Sequence, residues 1–131
     1  MAFDAFLKIE GVPGESTDDK HKDQIEILSF SWGVSQTGSG AASSGGARSA
    51  ERCNHQDFSI VKTLDKASPK LMLFCCNGTH IKEIKLALHR ATGDKQKYME
   101  YVLSDAIVSS YRPGASAQGG ESLPLEEVSF N

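Results

Sequence analysis

The sequence predicts a mainly β protein, a compact antiparallel β-barrel or two-sheet sandwich with one short α-helix at about residues 68–77. Three observations lead to this fold class. Apolar and polar residues alternate in several segments, which is the period of a half-buried strand. Clusters rich in Gly, Ser and Pro separate these segments. A single segment has the start and stop signals of a helix.

Six segments have the strand pattern: 3–9, 24–36, 58–64, 80–89, 97–103 and 123–130. A seventh segment, 106–111, extends the β region. In the first, residues Phe3, Ala5, Leu7 and Ile9 share one apolar face. Residues 15–23 form a charged connection. Residues 91–95, Ala-Thr-Gly-Asp-Lys, are typical of a hairpin turn between two strands. Six or seven strands with one helix suit a barrel or a sandwich.

The strongest strand signal, at residues 24–36, has two unlike faces. One face carries large apolar side chains and is expected in the core: Leu28, Phe30, Trp32 and Val34. The other carries Ile27 and then three small residues, Ser29, Ser31 and Gly33. A smooth face of small residues suits a cavity lining or a subunit contact better than a core.

The segment 58–64 is the next strand, with Phe58, Ile60, Lys62 and Leu64 on one face. The helix follows it. Ser68 is the expected N-cap, Pro69 suits the first helical position, and Asn77-Gly78 supplies the stop. A helix of about two turns is too short to be stable alone, so its apolar run is expected to pack against the sheets and close one end.

Size and charge limit the function classes. The 131 residues suit one domain, 1–131, which buries about two thirds of its unfolded surface. A net charge of −3 argues against nucleic-acid partners and anionic membranes. The first residues do not resemble a signal peptide, and the longest apolar run, 71–76, is too short to span a bilayer. We therefore expect synthesis in the cytoplasm and export, if any, by a route that reads no N-terminal signal.

The usual motifs of enzymes and cofactor sites are missing from the sequence. The Gly-rich stretch 38–46 lacks the Gly-Lys of a phosphate-binding loop. The histidines form no HxH or HxxxH pair: His21, His55, His80 and His89. No serine lies in a GxSxG motif. Three cysteines fit a reducing compartment and are expected as buried or half-buried thiols on a helix: Cys53, Cys75 and Cys76. We expect no enzyme activity, cofactor or metal.

Residues 37–47 contain only small and polar side chains, so this segment is either flexible or ordered by a partner. Its residues are Thr37, Gly38, Ser39, Gly40, Ala41, Ala42, Ser43, Ser44, Gly45, Gly46 and Ala47.

Several segments, in order along nearly the whole chain, resemble the haemolysin-coregulated protein family, Hcp, the inner-tube subunit of type VI secretion. The N-terminal resemblance lies in 3–9, Gly14-Glu-Ser16, Asp18 and His21, followed by 25–33 with Phe30-Ser-Trp-Gly33. It continues through His55, Asp57-Phe58, Lys62, Asp65, Ser68-Pro69, Leu71, Cys75, Gly78, His80 and Val108-Ser-Ser110.

The resemblance implies a β-barrel with a helix at its side, a homohexameric ring, and rings stacked into a tube. It implies partners in the type VI sheath, spike and effector proteins, with no nucleic acid and no membrane insertion. It also implies release from the bacterial cell when the sheath contracts, without a signal peptide, and a lumen that carries effectors. Ser29, Ser31 and Gly33 then become candidates for the ring wall, and 37–47 for the loop that touches the next ring.

Family chains continue past the segment that ends here at Asn131, through a strand that helps to complete the barrel, so either this sequence is shortened or this strand is missing. The residue pattern leaves two other functions open. One is a monomeric β-sandwich that binds a peptide or a carbohydrate through its loops, and the other is an enzyme with a site assembled only in three dimensions.

Overall fold

The computed structural model describes residues 3–38, 52–90, 96–114 and 123–131. Within these ranges the elements are, in order, β1 (Phe3–Ile9), β2 (Ile25–Ile27), β3 (Ser29–Ser31), β4 (Val34–Ser35), β5 (Asn54–His55), β6 (Phe58–Thr63), α1 (Ser68–Asn77), β7 (Ile81–Arg90), β8 (Lys97–Ala106), β9 (Val108–Gly114) and β10 (Leu125–Phe130).

Two four-stranded antiparallel sheets share one core, which confirms the predicted mainly β class. Sheet A has the strand order β2-β1-β7-β8, and sheet B has the order β3-β6-β10-β9. Strands β4 and β5 form a separate two-stranded ribbon. The arrangement is the sandwich form of the prediction, since the described strands do not close into a barrel.

Continuous chain joins the sheets at two corners. At the first, Leu28 separates β2 from β3 and its N–H donates to the carbonyl of Val61 at 2.7 Å. At the second, Ile107 separates β8 from β9 and exchanges two backbone hydrogen bonds of 3.0 Å with Asn131. Asp105, just before this corner, has a φ of 51°, a left-handed conformation that bends the strand.

The strand periodicities place alternate residues in the core as expected. In β7, Ile84, Leu86 and Leu88 are buried, and in β6 the buried residues are Phe58, Ile60 and Lys62. Leu64, predicted on the same face as Lys62, lies beyond the end of β6 and is exposed. The final strand begins at Leu125, two residues later than predicted.

The two-face prediction for 24–36 is wrong in one respect. The buried residues are Ile25 and Ile27, whereas Leu28, Trp32 and Val34 are 55%, 43% and 52% exposed. The bend at Leu28 reverses the alternation of inward and outward side chains. The odd-numbered residues Ile25 and Ile27 face the core in β2, whereas the even-numbered Phe30 faces it in β3. Beyond Ser31 the chain leaves sheet B altogether.

The helix has the predicted bounds, 68–77, and its stop is confirmed: Gly78 has a φ of 68° and its N–H donates to the carbonyl of Phe74 at 3.0 Å. The N-cap prediction is wrong, because Ala67 occupies that position. The side chain of Ser68 points into the protein instead. Only Ser68 and Leu71 of the helix are buried, so much of its apolar run lies on the surface. Within the described residues, no helix has the length and apolar character needed to cross a membrane.

A buried polar network connects the helix to sheet B. Lys62 and Glu126 are cross-strand neighbours with side chains that are 0% exposed, and Lys62 Nζ lies 2.6 Å from Glu126 Oε2. The same ammonium lies 2.9 Å from Asp65 Oδ1. Ser68 Oγ accepts from Lys62 at 3.2 Å and donates to Glu126 at 2.8 Å. The hydroxyl of Tyr111 donates to the other Glu126 oxygen.

We expect Lys62→Met to lower the free energy of unfolding by about 3–5 kcal/mol, because two carboxylates would lose their counter-charge in a buried site. Urea unfolding measures the change. The matched control is Lys97→Met, which breaks the exposed Lys97–Glu100 pair of 3.0 Å and should cost below about 1 kcal/mol. Equal losses in the two variants would contradict the structural role of the network.

Burial and the hydrogen bond to Glu126 raise the pKa of Tyr111 from 10.0 to about 12. Between pH 10 and about pH 12 the Tyr111 hydroxyl keeps its proton in the folded protein but has released it in the unfolded chain. The contribution of Tyr111 to the free energy of unfolding is therefore complete below pH 10 and is lost as the pH rises to about 12. Unfolding free energies measured from pH 9 to 12 should fall more steeply for the native protein than for Tyr111→Phe. Parallel curves would show that Tyr111 is not coupled to folding.

Candidate assembly surfaces

A row of serines crosses the outer face of sheet B. Ser31 of β3 lies opposite Ser59 of β6, Ser59 lies opposite Ser129 of β10, and Ser129 lies opposite Ser110 of β9. The hydroxyl oxygens of Ser59 and Ser129 are 2.9 Å apart and share a hydrogen bond. This serine row gives the sheet a band of hydroxyl groups, of which Ser129 is 8% exposed, and the same face also carries Val61 and Leu125.

The neighbouring row on this face carries opposite charges. Ser29 lies opposite Val61, Val61 opposite Glu127, and Glu127 opposite Arg112. A carboxylate beside a guanidinium leaves the face close to electrically neutral. The outer face of sheet B therefore offers small and polar groups without a dominant charge.

Two of the three predicted wall residues lie on this face. Ser29 and Ser31 are exposed residues of β3. Gly33 lies beyond sheet B, where its carbonyl accepts from the N–H of Gln56 at 2.9 Å. A Cβ at Gly33 would approach the side-chain oxygen of Gln56 to 3.0 Å, a contact that the exposed Gln56 side chain can relieve by moving.

The chain between β3 and β6 forms a projecting arm, which we define as residues 32–38 and 52–57. Val34 pairs with His55 and Ser35 with Asn54, and all four are exposed. The ring of Trp32 stacks on that of His55, with centroids 6.1 Å apart. The arm carries the predicted stacking loop: Thr37 and Gly38 are exposed on it, and residues 39–47 lie outside the described residues.

A cleft of 510 Å³ lies between the base of the arm and β8. Trp32 and His55 line one side, and Asp105 and Asn131 line the other, with Asp57 between them. The Asp57 carboxylate accepts from Ser109 at 2.7 Å and from the Asn131 amide at 2.9 Å. An aromatic ring beside polar groups is a common arrangement in peptide and carbohydrate sites.

The histidines are less scattered than their sequence spacing indicates. His21 and His89, 68 residues apart, meet with their Nε2 atoms 2.6 Å apart. His80 Nδ1 lies 3.0 Å from Asp105 Oδ1 on the surface. No sequence signal identifies the first pair, because it depends on how one connection folds over sheet A. In the part of the chain that the structure describes, no three His, Cys, Asp or Glu side chains are grouped to hold a metal ion.

The cysteine prediction holds only for Cys75, which is half-buried in α1. Cys76 is exposed on the same helix, and Cys53 is exposed on the arm, outside any helix. All three are free thiols. None of the three cysteines is paired with a residue of the serine row in the strands of sheet B.

The sequence that forms these two sheets and the side helix matches a known family. The family model described as "Type VI secretion system effector, Hcp" matches residues 6–131. The chain belongs to the Hcp family. It is 42% identical to protein Hcp1 of Pseudomonas aeruginosa over 132 aligned residues, which is all of this chain and 79% of the relative.

Solved structures of Hcp proteins have the same fold. A structure titled as a type six secretion system protein aligns with a TM-score of 0.92 at 33% identity and covers 99% of this chain and 79% of its own. Hcp1 from Salmonella typhimurium aligns with a TM-score of 0.82 at 34% identity and covers 99% of this chain and 82% of its own. The resemblance identified from the sequence motifs is thereby confirmed.

We expect Ser31→Arg to leave the fold intact, with a change of about 0.5 kcal/mol or less in the free energy of unfolding, because Ser31 is exposed on the outer face of sheet B. The matched control is Phe30→Arg in the same strand, which would force a charge into the aromatic contact with Phe58. Chemical denaturation of both variants tests the assignment. Loss of folding in Ser31→Arg would mean that the two faces of β3 are assigned wrongly.

Proposed function

We propose that this Hcp chain is a structural subunit of the type VI secretion tube: six copies close into a ring, rings stack, and the lumen carries effector proteins. The observation that carries this proposal is the outer face of sheet B, with its serine row. Family membership gives the tube role, and the face gives a surface suited to a channel wall.

A channel wall has to let cargo pass without trapping it. Large apolar side chains would hold cargo by burying surface, and one sign of charge would hold cargo of the other sign. The outer face of sheet B offers hydroxyl groups and the adjacent charges of Glu127 and Arg112. Ser29 and Ser31 are the residues that we place in the wall.

A closed ring needs two different surfaces on each copy, because each subunit contacts its two neighbours in a head-to-tail manner. Sheet B supplies them, since its edge strands among the described elements are β3 on one side and β9 on the other. The unpaired backbone groups of an edge strand favour contact with another chain.

The arm suits the contact between rings. Its ribbon of β4 and β5 is exposed and lies outside sheet B, and the sequence of residues 37–47 contains only small and polar side chains, which suit a close contact with another subunit. We propose this loop as the stacking element. We place Gly33 in the arm, where its carbonyl accepts from the N–H of Gln56, and not in the ring wall.

The tube role implies the remaining partners and the route. The subunit is made in the bacterial cytoplasm, meets the sheath, spike and effector proteins of the system, and is expelled when the sheath contracts, without an N-terminal signal. A part that is expelled and works by shape needs no catalytic group, and we assign none.

The mass in solution, measured by light scattering after size exclusion, tests the assembly. We expect a ring of about six chains of 14.1 kDa each. Ser31→Arg should keep this mass and lose co-elution with an effector, whereas Val102→Arg, on the outer face of sheet A, should keep both. A protein that stays monomeric at high concentration would contradict the ring and favour the alternative, a monomeric module that binds a peptide or carbohydrate in the cleft at Trp32.

A further inference from the structure

The contact between His21 and His89 joins the chain between β1 and β2 to the outer face of sheet A. His89 belongs to β7 and is only 4% exposed, on the outer face of sheet A. His21 belongs to the β1–β2 connection, residues 10–24. The His21 ring stacks on Phe6 with centroids 4.6 Å apart and planes at 10°, and meets His89 edge-on at 4.6 Å.

The β1–β2 connection is organised mainly by its own hydrogen bonds. Gly14 N–H donates to the carbonyl of Asp23 at 2.7 Å, Asp23 N–H donates to the carbonyl of Ser16 at 2.9 Å, and Ser16 N–H donates to the carbonyl of Gln24 at 3.0 Å. These bonds fold the connection back on itself. Its first part is fixed by other contacts, since Val12 is buried in the core and pairs with Ile9 of β1, and the N–H of Lys66 donates to the Glu15 carboxylate. The His21 side chain makes the ring contacts that cover Phe6, which is buried although it lies on the outer face of the sheet.

The Nε2–Nε2 distance of 2.6 Å sets the number of protons in the contact. One imidazole must donate and the other must accept, so the line between the two atoms holds one proton. A second proton would point two N–H groups at each other and add a repulsion between two cations. Histidine is the side chain that commonly takes up a proton between pH 8 and pH 5.

Carboxylates around the pair give a protonated ring other partners. Asp4 lies opposite His89 in the register, Glu26 lies opposite Phe6, and Glu100 lies opposite Ala87. The charged groups that face the pair are Asp4 and Lys8 of β1, Glu26 of β2, Lys85 of β7, Lys97 and Glu100 of β8, and, in the connection itself, Asp18, Asp19, Lys20, Lys22 and Asp23. Each imidazolium can therefore be stabilised apart from the other.

We propose that the His21–His89 contact is a pH-dependent clasp that holds the part of the β1–β2 connection around His21 against sheet A and opens when a second proton enters the pair. Acid separates the two rings, uncovers Phe6 and loosens residues 15–24, while the core of the two sheets stays folded. The clasp is independent of the proposed ring, since it lies on the opposite sheet from the serine row.

A double-mutant cycle with His21→Ala, His89→Ala and the double variant tests the clasp at pH 8 and pH 5. The cycle gives the coupling between His21 and His89 as a factor in the unfolding equilibrium constant. We expect this factor to be at least about fivefold at pH 8 and less than about twofold at pH 5. The matched control is the exposed His80–Asp105 pair, 3.0 Å apart, whose coupling should not weaken in acid because its imidazolium faces a carboxylate. Equal coupling of His21 and His89 at the two pH values would overturn the proposal.

Hydrogen exchange of the unchanged protein tests the same clasp without any variant. After correction for the intrinsic pH dependence, protection of the amides of 15–24 should fall at least about tenfold between pH 8 and pH 5 relative to those of β10. A constant ratio between the two segments would also overturn the proposal, whether or not the alanine variants fold.

Discussion

Lys62 places an ammonium group in the interior of sheet B, and the arrangement around it depends on neutralising that charge. A buried cation costs several kcal/mol unless close and well-oriented partners surround it. The partners come from separate elements: Glu126 from β10, Asp65 from the turn after β6, and Ser68 from the start of α1. Tyr111 of β9 joins through Glu126. Three strands and the helix must therefore be in place together.

This network also fixes the register of sheet B. Lys62 and Glu126 are direct cross-strand neighbours. A slip of one residue in one direction would bring Leu125 opposite Lys62 and leave the ammonium unpaired inside, and a slip in either direction would turn the buried Val128 and Phe130 to the outer face. The same register aligns Ser31, Ser59 and Ser129 across the outer face. The band of hydroxyl groups on one side of the sheet is thus maintained by a charged cluster on the other.

The two sheets present unlike surfaces, and the difference organises the protein. Among the described elements, the outer face of sheet B is bordered by the edge strands β3 and β9, which suits the proposed contact with further copies. The outer face of sheet A is covered by the β1–β2 connection, which hides Phe6 beneath His21. The proposed assembly surface and the covered surface are therefore separated by one shared core, so a change in the connection need not disturb the proposed ring wall.

Alternation and capping signals in the sequence determined the β class, most strand bounds, the helix at 68–77 and its Gly78 stop, because these follow from local periodicity and backbone preference. Motif order determined the family, and the polar pattern of β3 determined that Ser29 and Ser31 face outward. The tertiary structure decided what depends on distant residues. The corner at Leu28 reversed the inward parity, exposed Trp32 and Val34, and moved Gly33 into the arm. Packing turned Ser68 from a cap into a buried partner of Lys62, and it brought His21 to His89 across 68 residues, a contact that no local pattern encodes.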